Sequence, residues 1–398
     1  MARPHTLPFY HTLKNYPFSW LRHDIVAGLT ACVVMIPSVI AYAELVHMPA
    51  ISGIYAALAA SVGYALFASS RHVIAGPDAA IGLLAGTAIL PLAAGDPTRI
   101  PALAALLALL SGIILVFAAH LRIGTIADFL SRPVLIGYLN GASLILVSTQ
   151  LGKLFAIKTS GEDFFPLLWQ ILSQLEQTHP PTLIFGVATI LTLIVIARNL
   201  PWLPGALVVS GMGILAARYL GLGEMGVILV GVVPAGAPSL AIPVFYWSDL
   251  PALVPAAVAI AFLAFSDGIL LAQVFADKHR YQINPNQELS ALGMANISAS
   301  LLNGFPVSAS QSRTSIVDSA GGKSQMAQLV AALGLLLFLL FLTDLLAMLP
   351  KVTLGAILIV TGLGMLEIAP LRDLYRQDRF EFSISMAVTL GILISGVV

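Results

Sequence analysis

Charged residues are scarce in this sequence, and cysteine is almost absent. Only 10% of its 398 residues are Asp, Glu, Lys or Arg, against about 25% in typical soluble domains. That shortage excludes most soluble enzymes and disordered scaffolds. The 19 basic residues balance 19 acidic ones, so there is no net positive charge to attract nucleic acid. Cys32 is the single cysteine of the sequence, which excludes an intrachain disulfide and a cysteine-based metal cluster.

The sequence also lacks the short motifs on which common enzymes depend. It contains no H-E-x-x-H, no G-x-S-x-G, no Walker sequence and no dinucleotide-binding fingerprint that follows a strand. Its eight histidines are scattered and have no metal-ligand spacing. We therefore expect a protein that is not an enzyme and that holds no cofactor.

Apolar residues are abundant instead. They make up 58% of the chain and give it a mean hydropathy of +0.94, which indicates an integral membrane protein. A helix that crosses the hydrocarbon core needs about 20 mostly apolar residues. By that length the sequence predicts an all-α polytopic protein with spans at 24–46, 50–70, 100–120, 131–156, 181–198, 203–220, 250–275, 287–303, 325–349 and 352–369.

Two apolar segments are too short to span a membrane alone. Residues 78–94 follow a Gly-Pro pair and residues 307–319 follow a Phe-Pro pair, and each segment is third in order within its half of the chain. Paired interrupted segments of this kind point to an inverted-repeat transporter whose binding site lies near the bilayer midplane.

The expected domain organisation follows from this repeat. Residues 1–23 are aromatic and basic, and we expect an interfacial segment rather than a removed signal peptide. Residues 24–240 form the first repeat of seven segments, and residues 249–398 form the second. The apolar run 382–398 is expected to stop inside a span, before a fourteenth segment. Because most Lys and Arg fall on the side of the N-terminus when segments alternate, we expect that terminus in the cytoplasm. We also expect a bacterial plasma membrane as the location.

The starts of the two short segments predict an anion site. A half-helix that begins inside the bilayer presents unpaired N–H groups and a positive dipole end. Pro77 is placed like a first-turn proline, and Ser308, Ser310 and Ser312 offer hydroxyls and caps. The alternative is a pair of ordinary helix starts.

Arg313 is the basic residue of the second short segment. An ionisable residue inside a membrane is a functional candidate by default. The alternatives are a structural pair with Asp318 or an extended side chain that reaches the inner interface.

Four acidic residues are candidates for coupling or binding. Asp78 either stabilises its own helix dipole or lines the site, where it would require a proton to accompany an anion. Asp267 lies 18 residues after Asp249, which is about 27 Å along an unbroken helix and thus deeper than the midplane from the outer side. The alternative for Asp267 is a structural acid that is hydrogen-bonded or extends to the interface. Glu44 would reach the outer interface on a continuous helix, and Glu288 is interpreted first as a helix-start acid.

Four stretches of the sequence resemble the sulfate permease (SulP) family. They are DIVAGLTACVVMIPSVIAYAELVHMPAISGIYAAL (24–58), SSRHVIAGPDAA (69–80), ADFLSRPVLIGYLNGA (127–142) and NQELSALGMANISASLLNGFPVSASQSRTSIVDSAGGKSQ (286–325). Several long motifs in the same order make the resemblance specific, and it extends from about Arg22 to the end of the sequence.

The resemblance implies a fold and an activity. It implies a seven-plus-seven inverted-repeat fold, with a core of segments 1–4 and 8–11, a gate from the remainder, and two half-helices that meet at the midplane. It also implies a homodimer in the lipid bilayer that moves anions such as sulfate, bicarbonate or dicarboxylates by an elevator-like shift of the core. The cytoplasmic STAS domain that usually follows is not part of this sequence.

The resemblance also implies site residues. Matched to the family's motifs, the substrate site falls on Ser38, Tyr42, Asp78, Gln311, Ser312 and Arg313. The ion-coupling candidates are Glu44, Asp267 and Glu288. Bicarbonate-transporting relatives have a sodium-liganding acid that resembles Asp267, but Leu271 stands where they carry a threonine. We therefore expect a co-transported proton rather than sodium.

The sequence departs from the family pattern at two positions, and several alternative functions remain open. Ser38 stands where many relatives carry glutamine, and Asp78 stands where others often carry an apolar residue. A nucleobase symporter of the same architecture, an anion channel, a voltage-responsive motor and a non-transporting scaffold are the other functions considered. The sequence alone does not name the anion.

Overall fold

The computed structural model describes residues 14, 16–124, 132–159, 164–200, 203–233, 235–243 and 247–395. In chain order its first helices are α1 (Leu21–Leu45), α2 (Ala50–Phe67), α3 (Ala79–Ala93), α4 (Ile100–His120), α5 (Arg132–Phe155), α6 (Phe164–Ser173), α7 (Pro180–Asn199) and α8 (Gly205–Tyr219). The others are α9 (Leu250–His279), α10 (Pro285–Leu301), α11 (Gln311–Ser319), α12 (Met326–Phe341), α13 (Asp344–Ala347), α14 (Lys351–Met365), α15 (Ile368–Gln377) and α16 (Arg379–Ser395). Two short strands, β1 (Ala75–Gly76) and β2 (Ser308–Ala309), precede α3 and α11.

The helices confirm the all-α polytopic prediction. Seven helices of the described part of the chain are long and apolar enough to cross a membrane. Their hydropathy comes from runs of Leu, Ile, Val and Ala, of which Ala and Leu have the highest helix propensity. The two predicted short segments are helices of 15 and nine residues, α3 and α11.

Three details differ from the predicted spans. The segment 325–349 is not one span, because α12 ends at Phe341 and the short helix α13 follows, with Thr343 at its N-cap position. Thr and Asp favour helix ends over helix interiors, which accounts for the break. Helices α6 and α15 were not predicted, because each has 10 residues and is too short for a hydropathy search.

The chain forms two compact units. The first comprises Met1–Phe129 and Ala235–Phe341, and thus contains α1–α4 from one half of the chain and α9–α12 from the other. Within it α10 packs against α2 and α4, and α12 packs against α1 and α2. A Cβ atom on Gly112 would lie 2.7 Å from the Gly293 carbonyl oxygen, so α4 and α10 cross at a distance that only small residues allow.

The second unit comprises Leu130–Pro234 and Leu342–Val398. Helix α5 packs against α14 and α16, and α14 packs against α7. The Val230 N–H donates to the Leu349 carbonyl oxygen at 2.9 Å, which ties the segment after α8 to the start of α14. None of the predicted site residues belongs to this unit.

Some predictions concern residues outside the described ranges or remain untested. Residues 1–13 and 15 of the predicted interfacial segment 1–23 are outside them, and the described part enters α1 through a 3-10 turn at Phe18–Trp20. The run 382–398 is described as far as Ser395, the end of α16. The repeat boundaries and the cytoplasmic N-terminus remain predictions.

Candidate anion-binding site

A short antiparallel strand pair brings the two half-helices together. Ala75 pairs with Ala309, and Gly76 pairs with Ser308. Each strand leads within three residues into its half-helix, α3 or α11. Because the strands run in opposite directions, the two helices begin near each other and then diverge. The positive ends of both helix dipoles therefore meet at the strand pair.

The two half-helices are capped differently. Asp78 is the N-cap of α3 and its Oδ1 accepts from the Ala80 N–H at 3.0 Å. Pro77 therefore precedes the cap, which corrects its predicted place in the first turn. Ser310 holds the N-cap position of α11 but its side chain makes no capping hydrogen bond; its Oγ lies 3.4 Å from Oγ of Ser312. The first N–H groups of α11 are thus less satisfied by capping than those of α3.

Arg313 reaches from one half-helix to the other. Its side chain belongs to the first turn of α11, the residue is only 2% exposed, and Nη2 donates to the Pro77 carbonyl oxygen at 2.7 Å. Its buried Nε has no hydrogen-bond partner among the described residues. A Cβ atom on Gly76 would lie 3.3 Å from Nη2, so glycine at this strand position leaves room for the guanidinium. The alternative pair with Asp318 is not observed, because Asp318 contacts Lys278 and His279.

Two carboxylates and a phenol share this region. Asp78 and Tyr42 lie close enough to Arg313 for electrostatic interaction, and Asp78 interacts in the same way with Asp267. Asp267 is placed by α9, which passes behind β2: a Cβ atom on Gly268 would lie 3.7 Å from the Ala309 Cβ. The structure thus brings together groups from α1, α3, α9 and α11.

The remaining predicted substrate residues flank this centre. Gln311 and Ser312 are exposed in the first turn of α11. Tyr42 is 7% exposed, and Ser38 lies one helical turn before it on α1. The Ser38 Oγ donates to the Met35 carbonyl oxygen of its own helix at 2.9 Å. A serine here therefore presents its lone pairs, rather than its proton, to a ligand.

Glu44 and Glu288 lie apart from the strand pair in their helices. Helix α1 continues through Pro37, and Glu44 occupies its last turn. Glu288 is in the first turn of α10 and is 1% exposed. It accepts from the hydroxyl of Tyr64, from both N–H and Oγ of Ser69, and from the Ser70 N–H. These bonds hold the segment before β1; a coupling role for either glutamate remains a prediction.

Three buried amide side chains support the strand pair, and sequence reasoning missed them. Asn296 on α10 exchanges hydrogen bonds with both backbone groups of Val307, at 2.9 and 3.0 Å. On and just before α12, Gln328 donates to the Ala75 carbonyl oxygen at 3.0 Å, and Gln325 donates to the Val73 carbonyl oxygen at 2.9 Å. For Asn296 and Gln328 a signal was present, because a lone Asn or Gln within an apolar helical run needs a buried partner.

Asp24 supports the turn after α11 with similar hydrogen bonds, and sequence reasoning missed this role too. Its Oδ1 accepts from the Lys323 N–H at 2.6 Å, and its Oδ2 accepts from Oγ of Ser324 at 2.6 Å and from the Tyr16 hydroxyl at 2.8 Å. The residue is fully buried. Helix α1 thereby fixes the turn that follows the second half-helix.

This arrangement suits a small anion. Two helix N-termini, a buried guanidinium and nearby hydroxyls provide hydrogen-bond donors for such an ion. An inverted-repeat fold with such a site between two half-helices defines a membrane transporter of the broken-helix class.

Comparison with known proteins identifies the family. Residues 21–388 match the model of the sulfate permease family. A probable sulfate transporter of Mycobacterium tuberculosis is 36% identical over 384 residues, which cover 96% of this chain and 69% of the relative. Human solute carrier family 26 member 6 is 30% identical, over 98% of this chain and 56% of its own length. The chain belongs to the sulfate permease family, whose members are anion transporters and not enzymes.

Solved structures confirm the fold. The structure of SLC26A9 superposes with a TM-score of 0.90 at 24% identity, over 98% of this chain and 64% of its own. The transmembrane domain of the cyanobacterial bicarbonate transporter BicA gives a TM-score of 0.84 at 23% identity, over 96% of this chain and 98% of its own. The chain therefore spans slightly less than two thirds of SLC26A9 and nearly all of the BicA transmembrane domain.

Proposed function

We propose that this protein is a secondary active transporter of small oxyanions of the sulfate class. The observation that carries the proposal is the buried Arg313 guanidinium, whose Nε has no partner among the described residues, at the point where two half-helix N-termini meet. A buried donor that lacks a protein partner costs about 1–3 kcal/mol. A bound oxyanion would supply the missing acceptor.

The charges of the site favour a proton as the coupled ion. Each helix end contributes about half a positive charge, and Arg313 adds one. Ionised Asp78 and Asp267, which lie close enough to each other to interact, cancel that sum almost completely. An anion would then enter a site with no surplus positive charge. Protonation of either carboxyl restores the surplus, so we propose that a proton enters with the anion.

Sodium is the less favourable coupling ion. Sodium prefers several oxygen ligands, as hard cations do. Leu271, one turn after Asp267 on α9, is buried and has no oxygen to offer from its side chain. We therefore propose proton coupling through Asp78 or Asp267, with Glu44 and Glu288 as the other candidates.

Movement and assembly are proposed on the same basis. The chain divides into two compact units, each with its own packing, which suits an elevator-like shift of the unit that carries the site. We propose a cytoplasmic N-terminus, which the distribution of Lys and Arg favours. The resemblance to the family supports a homodimer, and the mycobacterial relative supports a bacterial plasma membrane.

Other functions make different predictions. A nucleobase symporter would hold a neutral heterocycle against a carboxylate such as Asp267, and uracil would then compete with anions. A channel or voltage-responsive motor would show flux that does not saturate and does not drive counter-substrate exchange. A scaffold would bind no anion.

The first experiment is thermal unfolding of the purified protein with a panel of ligands. Sulfate, bicarbonate, succinate, fumarate, chloride and uracil would be compared at pH 5.5 and 7.5. A ligand that binds only the folded state raises the apparent melting temperature. We expect one oxyanion to stabilise most, and more strongly at the lower pH. Stabilisation by uracil alone would contradict the anion proposal.

The second experiment measures flux in proteoliposomes. Radiolabelled uptake of the stabilising anion, with and without an imposed pH gradient, is expected to saturate and to accelerate when the side of entry is acidic. Saturable uptake that does not depend on the pH gradient but increases with a sodium gradient would contradict the proposal of proton coupling. It would leave the proposal of anion transport unchanged.

A further inference from the structure

A cluster of two histidines and an aspartate lies outside the anion site. His72 belongs to the segment before β1, His279 ends α9, and Asp318 lies in the last turn of α11. One ligand atom from each residue lies within 4.8 Å of the other two. The His279 Nε2 is 2.5 Å from Asp318 Oδ1, and the two imidazole rings stack with centroids 4.1 Å apart.

His72 has an unused ring nitrogen. The residue is 4% exposed, and its Nδ1 lies 3.3 Å from the Tyr281 hydroxyl. Its Nε2 is buried and makes no hydrogen bond within the described ranges. When Nδ1 carries the proton and donates to Tyr281, Nε2 bears a free lone pair, and a histidine that ligates a metal is usually oriented in this manner.

We propose that His72, His279 and Asp318 form a binding site for a divalent transition metal of the zinc class. Two imidazoles and one carboxylate are a ligand set that Zn²⁺ uses when one position stays open to water. The site is separate from the proposed transport function and does not depend on it.

A small rearrangement of side chains would bring the three ligand atoms around one metal ion. Zinc–nitrogen and zinc–oxygen bonds are about 2.0–2.2 Å long, so the ligand atoms must surround a common point that the stacked rings do not yet share. The rings are inclined by only 13°, and one of them must turn. His279 exposes 30% of its side chain, so its ring has space to rotate.

The charged side chains near the cluster determine how strongly we expect it to bind a metal ion. Lys278 Nζ lies 2.6 Å from Asp318 Oδ2 and thus holds the carboxylate oxygen that faces away from His279. Lys323 interacts electrostatically with His72, and the Arg71 guanidinium lies 5.4 Å from the Tyr281 ring centre. These three positively charged side chains repel a metal cation at the cluster. We therefore expect reversible binding, weaker than at a structural zinc site.

Occupancy would tie together the elements that support the half-helices. The three ligands come from the segment that enters β1, from the end of α9 and from the end of α11. A metal that bridges them would resist any separation of these ends. We expect it to stabilise the first unit against unfolding.

The test uses the full chain, purified without a histidine tag and treated with a chelator. Zn²⁺ is titrated during thermal unfolding, and Co²⁺ serves as a second probe because its visible absorption reports on coordination geometry. We expect Zn²⁺ to raise the melting temperature in a saturable manner, and Co²⁺ to develop a tetrahedral-type band that Zn²⁺ abolishes.

Three ligand variants and one matched control decide the assignment. His279→Gln, Asp318→Asn and His72→Gln are each expected to weaken metal binding at least about tenfold. His120→Gln, an exposed histidine at the end of α4, should behave as the unaltered protein. Because His72 is buried, its replacement risks misfolding, whereas the part-exposed His279 keeps the test informative. Zinc stabilisation that survives His279→Gln and Asp318→Asn, or no cobalt band in the unaltered protein, would overturn the proposal.

Discussion

The two half-helices meet through the same backbone arrangement but contribute opposite charges. Helix α3 has 15 residues, is apolar except for Thr87 and has the acid Asp78 as its N-cap. Helix α11 has nine residues, is polar, and carries the base Arg313 in its first turn. The strands before them pair symmetrically, residue for residue.

The difference shows how a repeated backbone becomes an asymmetric site. The α3 terminus offsets its own dipole with a carboxylate, whereas the α11 terminus adds a full positive charge to its dipole. Arg313 then donates across to the Pro77 carbonyl oxygen just before α3, so the basic half-helix also steadies the acidic one. In the proposed function, anion binding belongs to α11 and proton coupling to α3 and α9.

The replacement Arg313→Ala is expected to have the largest effect on transport, because it removes the charge that distinguishes α11 from α3. A hydrogen bond to a charged group is worth about 1.5–3 kcal/mol, so we expect anion uptake in proteoliposomes to fall at least about tenfold. Arg372→Ala, on the exposed face of α15, is the control and should transport normally. Full uptake by Arg313→Ala protein of normal size-exclusion profile would remove Arg313 from the mechanism.

The replacement Asp78→Asn tests the acidic half-helix. Asparagine caps a helix as well as aspartate does, so the fold should persist. If a proton must accompany the anion, uptake by the unaltered protein rises as the pH falls. The variant mimics the protonated acid, so its uptake should depend much less on pH between pH 5 and 8. Asp96→Asn, in the exposed turn after α3, should keep the original profile. An acid optimum that persists in both Asp78→Asn and Asp267→Asn would refute coupling at these carboxyls.

The supports of the two strands should also differ in strength. Asn296→Ala strips both backbone groups of Val307 of their side-chain partner, and each buried unsatisfied group costs about 1–3 kcal/mol. Gln328→Ala frees one carbonyl, that of Ala75. We expect the melting temperature of the purified protein to fall for both variants and about twice as far for Asn296→Ala. Asn199→Ala, at the exposed end of α7, is the control; equal losses for Asn296→Ala and Asn199→Ala would contradict the assigned support.

The smallest expected difference concerns two serines. Ser312 is exposed in the first turn of α11, while Ser38 donates its proton to its own helix. A neutral hydrogen bond is worth about 0.5–1.5 kcal/mol, so Ser312→Ala should raise KM for the anion about two- to tenfold. Ser38→Ala should change KM less than that. The reverse order, measured in initial rates of uptake, would shift the binding site from α11 toward α1.

Much of the fold could be predicted from the sequence because its signals are local. Long apolar runs predicted α1, α2, α4 and α9 within a few residues, and the Gly-Pro and Phe-Pro pairs marked the two half-helices. Helices α6 and α15 were missed since ten residues carry too little hydropathy signal. The break after α12 was missed because its flanks are as apolar as a continuous span.

The site was predicted less completely than the fold. Arg313 and Asp78 stood out because charge inside an apolar segment is rare. Asn296, Gln325 and Gln328 were missed, because they carry no charge and their partners are backbone groups that no sequence pattern identifies. The role of Asp24 was also missed, since an acid in the first turn of α1 already has a sufficient local explanation in the helix dipole.

The sequence by itself determined the membrane class, the order of the helices and the presence of two interrupted segments that carry opposite charges. These properties depend on composition and on residues close together in the chain. The tertiary structure alone decided that β1 pairs with β2, that Arg313 contacts Pro77 across 236 positions, and that buried amides hold both strands. Such contacts form only after distant segments have packed, because a buried polar group takes whichever partner the fold brings within hydrogen-bond distance.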